Sequence, residues 1–281
     1  PFRVEVTCKK SRIYHSGAAQ ERIVRAIKET LKAPYSPDAD VTIMARIERD
    51  ICTISVDTSG ELLHKRGYKE AINKAPMREN MAALFLAECG YNGTEPVFDP
   101  MCGSGTFVIE AALIAARINP GHARYFAFEK LNTFDAPAWE KMRNVQRDPS
   151  VRIHCYGSDR DEGAIKISTK NAARAGVNDI TVFTQQTISE ITPPCDTPGL
   201  VILNPPYGTR IGEKQKLMPL YQGLGKILRQ KFSGWRVGII TADSGLAHAT
   251  GLPFLPPAPP VQHGGLRVTL YQTCGIGIDT N

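Results

Sequence analysis

Residues 95–121 read EPVFDPMCGSGTFVIEAALIAARINPG, and they set the grammar for most of the chain. A short apolar run stops at Asp99-Pro100, a turn containing Gly103 and Gly105 follows, and Thr106 then opens an apolar run long enough for a helix. Asn119-Pro120-Gly121 is expected to end that helix. Proline cannot continue a central strand and glycine accepts positive φ freely, so the segment reads as strand, tight turn and helix. Residues 151–177, VRIHCYGSDRDEGAIKISTKNAARAGV, repeat the pattern with an acidic turn and with Gly176 as the helix stop. DITVFTQQ (179–186), GLVILNPPY (199–207), WRVGIITAD (235–243) and LRVTLYQTC (266–274) supply further strands. Strands alternating with helices predict an α/β fold, a doubly wound and mostly parallel sheet of six or seven strands.

The first quarter follows a different rule. FRVEVTC (2–8) alternates like a half-buried strand, and GAAQERIVRAIKETLK (17–32) has helical spacing. VTIMARIERDICTISVDTS (41–59) reads as two strands joined by a charged turn. This is a small α+β unit that begins directly inside a strand, as the later part of a larger module would. A polar connector ending in Pro76 precedes MRENMAALFLAECG (77–90), a helix that Gly90 should stop. The predicted division is therefore 1–74 and 75–281.

Composition narrows the classes. No run of about 18 apolar residues and no basic leader ahead of an apolar stretch occurs, which predicts a cytoplasmic protein without a membrane span. Seven cysteines without a Cys-x-x-Cys pair predict free thiols and no metal site. The net charge is +6, and residues 1–74 hold 14 basic against 10 acidic side chains, so the small unit is the place to expect contact with a polyanion. CKKSR (8–12) and HKRGYK (64–69) are its basic runs, which an ordinary solvated face would explain equally well.

In open α/β sheets, ligands sit beyond the carboxyl ends of the strands. Three chemically loaded turns fall there. The first, Asp99 to Thr106, lets backbone approach a ligand at Gly103 and Gly105; Val108 stands where a dinucleotide fingerprint needs a small residue, and no Gly-Lys-Ser/Thr ending makes it a phosphate loop. The second holds Asp159 and Asp161, of which one can cap the next helix and the other accept ribose hydroxyls. The third is Asn204-Pro205-Pro206-Tyr207. An exocyclic base amine has two N–H donors, which the Asn204 side-chain carbonyl and the Pro205 backbone carbonyl can accept. The prolines make that corner rigid, and Tyr207 offers a flat face for a base.

DPMCGSGT, GSDRDE and LNPPYGTRIGE, in that order, resemble the S-adenosylmethionine-dependent RNA methyltransferases that carry an N-terminal THUMP domain. The likeness is greatest to the large-subunit ribosomal RNA guanine-N2 methyltransferases, the RlmL-like group. It extends over FRVEVTCKKSRIYHSGAAQERI, RGYKEAINKAPMRENMAA and INPGHARYFAFEKLNTFDAPAWEKM, which are similar to that family's THUMP domain, linker and insert. The resemblance implies a Rossmann-like class I methyltransferase sheet, a partial THUMP-like RNA-binding region, S-adenosylmethionine as cofactor and ribosomal RNA as partner. It implies cofactor contacts from Asp99, Pro100, Met101, Cys102, Gly103, Ser104, Gly105, Thr106, Asp159, Arg160, Gln186 and Asn204, and chemistry at Asn204, Pro205, Pro206 and Tyr207. Transfer RNA guanine-N2, DNA adenine-N6 and a non-catalytic RNA-binding role remain alternatives. The chain departs from the family at Gln186, where an aspartate is usual, and at the proline-dense GLPFLPPAPPVQHGG (251–265), where a strand is expected.

Overall fold

The computed structural model describes residues 1–69, 77–143, 153–208 and 211–277. They fall into two compact units, Pro1–Leu63 with Arg124–Asn144, and His64–Ala123 with Val145–Asn281. The boundary expected near Lys74 lies outside the described residues.

In chain order the elements begin with β1 (Phe2–Lys9), α1 (Ser16–Leu31), β2 (Val41–Glu48) and β3 (Ile51–Asp57). They continue with α2 (Glu79–Glu88), β4 (Val97–Asp99), α3 (Thr106–Ala115), α4 (Ala136–Arg143), β5 (Cys155–Asp159) and α5 (Glu162–Arg174). The remainder are β6 (Thr181–Gln185), β7 (Leu200–Leu203), α6 (Ile211–Lys231), β8 (Arg236–Thr241), α7 (Ser244–Ala249), β9 (Val261–His263) and β10 (Leu266–Gln272).

The first unit is a three-stranded sheet. β1 and β2 run parallel across α1, and β3 returns antiparallel to β2. Arg49 and Asp50 both take positive φ in the two-residue turn, the geometry that matches strand twist in a tight hairpin. Residues from the segment between β4 and β5 complete this unit. Phe126, Phe128 and Trp139 form an aromatic cluster, with the Trp139 ring edge-on to Phe128 at 4.9 Å. The Arg124 guanidinium donates to the carbonyls of Ser59 and Leu62 and so fastens the segment to the end of the sheet's chain.

The second unit is the predicted doubly wound sheet, ordered β6-β5-β4-β7-β8-β10-β9. β4, β5, β6, β7 and β8 are mutually parallel, and β10 is antiparallel to both β8 and β9. Alternate residues build two cores. Val97, Leu200, Ile202 and Ile240 pack with α2, α3 and α5; Phe98, Val201, Leu203 and Ile239 pack with α6 and α7. Strands buried on both faces read as continuous apolar runs.

Two sequence expectations need correction. The helix after the glycine turn ends at Ala115, before Asn119-Pro120-Gly121, because Arg117 takes the left-handed conformation (φ 56) and Ile118 N–H donates to the Leu113 carbonyl. That is a helix stop of the kind glycine normally supplies, here built on arginine. The proline-dense stretch does contain a strand, β9, held by three pairs to β10 across the Gly264-Gly265 turn. Gly90 and Gly176 stop α2 and α5 as expected, at φ 70 and 71. Among the described residues no helix is long and apolar enough to cross a membrane.

Two glycines separate conformational from packing demands. A Cβ at Gly225 in α6 would lie 1.9 Å from the Thr250 carbonyl oxygen, whereas at Gly176 nothing lies within 4 Å. Gly176→Ala should cost about 1 kcal/mol, from its positive φ alone, and Gly225→Ala about 3 kcal/mol or more, since α6 must move off the end of α7 at Thr250. Urea unfolding of the two variants checks this; equal losses would contradict it.

Candidate active site

The sheet register brings the loaded turns to one edge. Asp99 pairs with Gly157, Asp159 pairs with Gln185, and Val97 pairs with Leu200, so the carboxyl ends of β6, β5, β4 and β7 lie side by side. Asp99 to Thr106, Asp159-Arg160, Gln186 and Asn204 to Tyr207 therefore share a rim. Within that stretch Pro100 follows β4 directly and Met101 donates its N–H to the Asp99 carboxylate at 3.0 Å.

The glycine turn is held from several sides. Gly103 (φ 53) and Gly105 (φ 80) adopt conformations other residues avoid. A Cβ at Gly105 would lie 2.9 Å from Ser168 Cβ and 3.1 Å from the Phe183 ring. Cys102 N–H donates to the Ser158 carbonyl at 2.9 Å, Gly103 N–H to Asp159 Oδ2 at 3.0 Å, and Asn171 to the Ser104 carbonyl at 3.0 Å. Thr106 then starts α3, which has no side-chain cap. The Cys102 thiol is buried and burial pushes it up in pKa, so it is an inert packing group.

Asp99 is 3% exposed. Burial pushes its carboxyl up to about 8, against the hydrogen bond from Met101, and the nearby Asp159 charge adds to the rise. Asp161 caps α5, accepting from Gly163 N–H at 2.8 Å. Asp159 is thereby released from capping, yet it is engaged: its two oxygens accept from Gly103 and Asp161 N–H. Each oxygen keeps a second acceptor direction. Gln186 donates its side-chain N–H to the Glu190 carbonyl at 3.0 Å, and its backbone N–H to the Asp159 carbonyl, so its amide oxygen remains the acceptor. The Arg160 side chain is exposed, and its carbonyl accepts from Gln185.

At the proline corner, Asn204 Oδ1 is buried and has no hydrogen-bond partner among the described residues. Pro205 is buried and Pro206 exposed. The Tyr221 hydroxyl donates to the Pro206 carbonyl at 3.3 Å and lies 3.4 Å from the Thr241 hydroxyl. Burial pushes this phenol up to about 12 and keeps it a donor. Tyr207 is half-buried against both cores, which raises its own phenol.

Sequence reasoning missed the support beneath the glycine turn. Tyr68 donates to Glu110 Oε1 at 2.9 Å, and Arg66 contacts Glu110 Oε2 at 3.3 Å. Burial raises the Glu110 carboxyl although Arg66 and Tyr68 pull it down. A lone carboxylate within the apolar helix TFVIEAALIA was the available signal, since a buried charge requires partners. Tyr221 had no such signal; only the tertiary fold places it under Pro206.

Residues 66–253 match the family described as UPF0020: RMKL-like, methyltransferase domain. The Ribosomal RNA large subunit methyltransferase K/L of Marinomonas sp. (strain MWYL1) is 37% identical over 247 residues, 83% of this chain and 34% of that protein. Its namesake from Chromohalobacter salexigens is 39% identical over 229 residues, 76% of this chain and 31% of that protein. The chain thus spans about a third of the length of these relatives. The crystal structure of SMU.472 complexed with SAH superposes with a TM-score of 0.84 at 30% identity, over 99% of this chain and 76% of that one.

Asp99 makes stability depend on pH in a definite direction. Unfolded, it ionises near its ordinary value of 3.8; folded, near about 8. The folded chain therefore holds an extra proton between those values, so stability falls as pH rises through that window. Thermal melts at pH 5 and pH 8 should show a lower midpoint at pH 8, and Asp99→Asn should shrink the difference. An undiminished difference would show that Asp99 is ionised in the folded chain.

Proposed function

Because the chain belongs to the UPF0020 family of RMKL-like methyltransferase domains, we propose that it transfers a methyl group from S-adenosylmethionine to the exocyclic N2 amine of a guanosine in large-subunit ribosomal RNA. The observation that carries this reading is Asn204 Oδ1, a buried acceptor with no partner among the described residues, fixed at the end of β7 by two prolines. Leaving such an acceptor unmet costs stability in the resting chain, and an amine N–H of a target base would satisfy it.

The residues at the rim fit the cofactor. The cradle at Gly103 and Gly105, which a Cβ would fill at Gly105, admits a ligand close to backbone. Asp159 keeps acceptor capacity for ribose hydroxyls, and the Gln186 amide oxygen can accept from an adenine amine. Asp99 is held beside the turn, where a cationic ligand favours its ionised form. When bound, S-adenosylmethionine supplies an electrophilic methyl on a sulfonium.

The chain's own residues prepare the amine. Accepting one N–H at Asn204 Oδ1 and the other at the Pro205 carbonyl draws the nitrogen toward a tetrahedral shape and localises its lone pair. Tyr221 steadies the corner through Pro206, so the acceptors need no reorganisation. Tyr207 supplies the face against which a flipped base stacks, worth roughly 1–3 kcal/mol. Residues 1–74 form the RNA-holding, partly THUMP-like region and linker in this reading. The end of β1 and the loop after it support this: Lys9, Lys10 and Arg12 are exposed, and Tyr14, two residues on, is 82% exposed.

Two measurements test the proposal. In single-turnover methylation of a guanosine-containing RNA, Asn204→Ala should lower the rate by about 10²–10³ while S-adenosylhomocysteine affinity holds. Asn204→Asp, which keeps an acceptor, should retain more activity, and Asp159→Ala should instead weaken the cofactor by about 1–3 kcal/mol. Full activity of Asn204→Ala would refute amine methylation. RNA affinity should fall steeply with salt as the basic loop releases counterions, and cofactor affinity should barely move. Salt-independent RNA binding would remove residues 1–74 from the reading.

A further inference from the structure

Lys69 stands in the connector ahead of α2, and its Nζ donates to the Met77 carbonyl at 2.7 Å and to Thr106 Oγ1 at 2.8 Å. Thr106 is the first residue of α3 and directly follows Gly105, so the ammonium lies beside the end of the glycine turn. Ser104 Oγ lies 3.4 Å from the same threonine hydroxyl. An ammonium carries three donors, and two are used. Among the described residues no carboxylate pairs with Lys69. Burial lowers the lysine's proton affinity, and the charges of Glu79 and Glu110 offset this only in part. This is a desolvated cation whose compensation is incomplete.

A second observation points to the same volume. His263, at the end of β9, is 7% exposed, and its Nδ1 is buried with no partner among the described residues. Burial, then Arg78, then Lys69 lower its proton affinity, so the three basic side chains lie within electrostatic reach of one another. The start of α3 adds unpaired N–H groups and the positive end of its dipole. Such surroundings select an anion small enough to enter a buried corner, which excludes the phosphates of a folded RNA.

We infer that the Lys69 ammonium anchors the α-carboxylate of the cofactor's amino-acid arm, an inference that rests on the methyl-transfer reading above. Asp159 lies at the neighbouring strand end and would take the ribose, which would leave the amino-acid arm to the glycine turn and the start of α3. Lys69 at Thr106 meets that arm's charged end. The anchor also orients the sulfonium relative to Asn204, because both ends of the cofactor are then fixed.

Calorimetry with two ligands tests it: S-adenosylhomocysteine, and its decarboxylated analogue, which keeps the amine and adenosine but lacks the carboxylate. The wild-type chain should prefer the carboxylated ligand. Lys69→Met should weaken S-adenosylhomocysteine by roughly 10- to 100-fold, as expected for a lost charge-assisted hydrogen bond, and leave the analogue within about twofold. Lys69→Arg should restore most of the preference and also serves if Lys69→Met does not fold. Equal losses for both ligands, or a wild-type chain indifferent to the carboxylate, would overturn the lysine assignment alone. A wild-type chain that binds neither ligand would overturn the cofactor reading itself.

Discussion

The turn after β4 is stitched to the end of β5 by two hydrogen bonds, Cys102 N–H to the Ser158 carbonyl and Gly103 N–H to the Asp159 carboxylate. Everything at the rim depends on this pair. It forces Gly103 and Gly105 into positive φ and presses the turn against Phe183. The Phe183 ring in turn requires glycine at 157, where a Cβ would come within 2.8 Å of it. The same carboxylate that closes the turn also accepts from Asp161 N–H, and each of its oxygens keeps a second acceptor direction.

Around this junction the fold concentrates groups that are costly to bury. Asp99 and Glu110 are raised by desolvation, Lys69 is lowered by it, and Asn204 Oδ1 goes without a partner. Each is tolerable because surrounding packing over-determines its position: α3 is buried along nearly its whole length, and Tyr221 sits beneath the proline corner. Natural chains keep such local violations where a ligand will relieve them.

The segment between β4 and β5 shows how connectivity and compactness diverge. It leaves the large sheet after α3, contributes Phe126, Phe128 and Trp139 to the smaller unit, and returns for β5. Arg124 is the hinge of this arrangement in energetic terms, since its planar guanidinium satisfies several carbonyls of the 59–62 turn at once. The smaller unit thus draws its core from two separated stretches of chain.

The strand-turn-helix order, the parallel sheet and the three loaded turns were legible in the amino-acid sequence, because proline, glycine and apolar periodicity act locally. Gly90 and Gly176 end their helices for the same reason. Which of Asp159 and Asp161 caps α5 was legible only as a choice; in space Asp161 takes the cap. What tertiary structure alone decided involves partners far apart in the chain. Arg117 ends α3 in a conformation its own preference opposes, because packing of the helix on the sheet outweighs a cost of one or two kcal/mol. β9 forms in a proline-dense stretch because β10 offers it pairs across a double-glycine turn. Tyr221 carries no local pattern and meets the Pro206 carbonyl only through the packing of α6, and the Lys69 run shows its charge but not its partner Thr106 on α3.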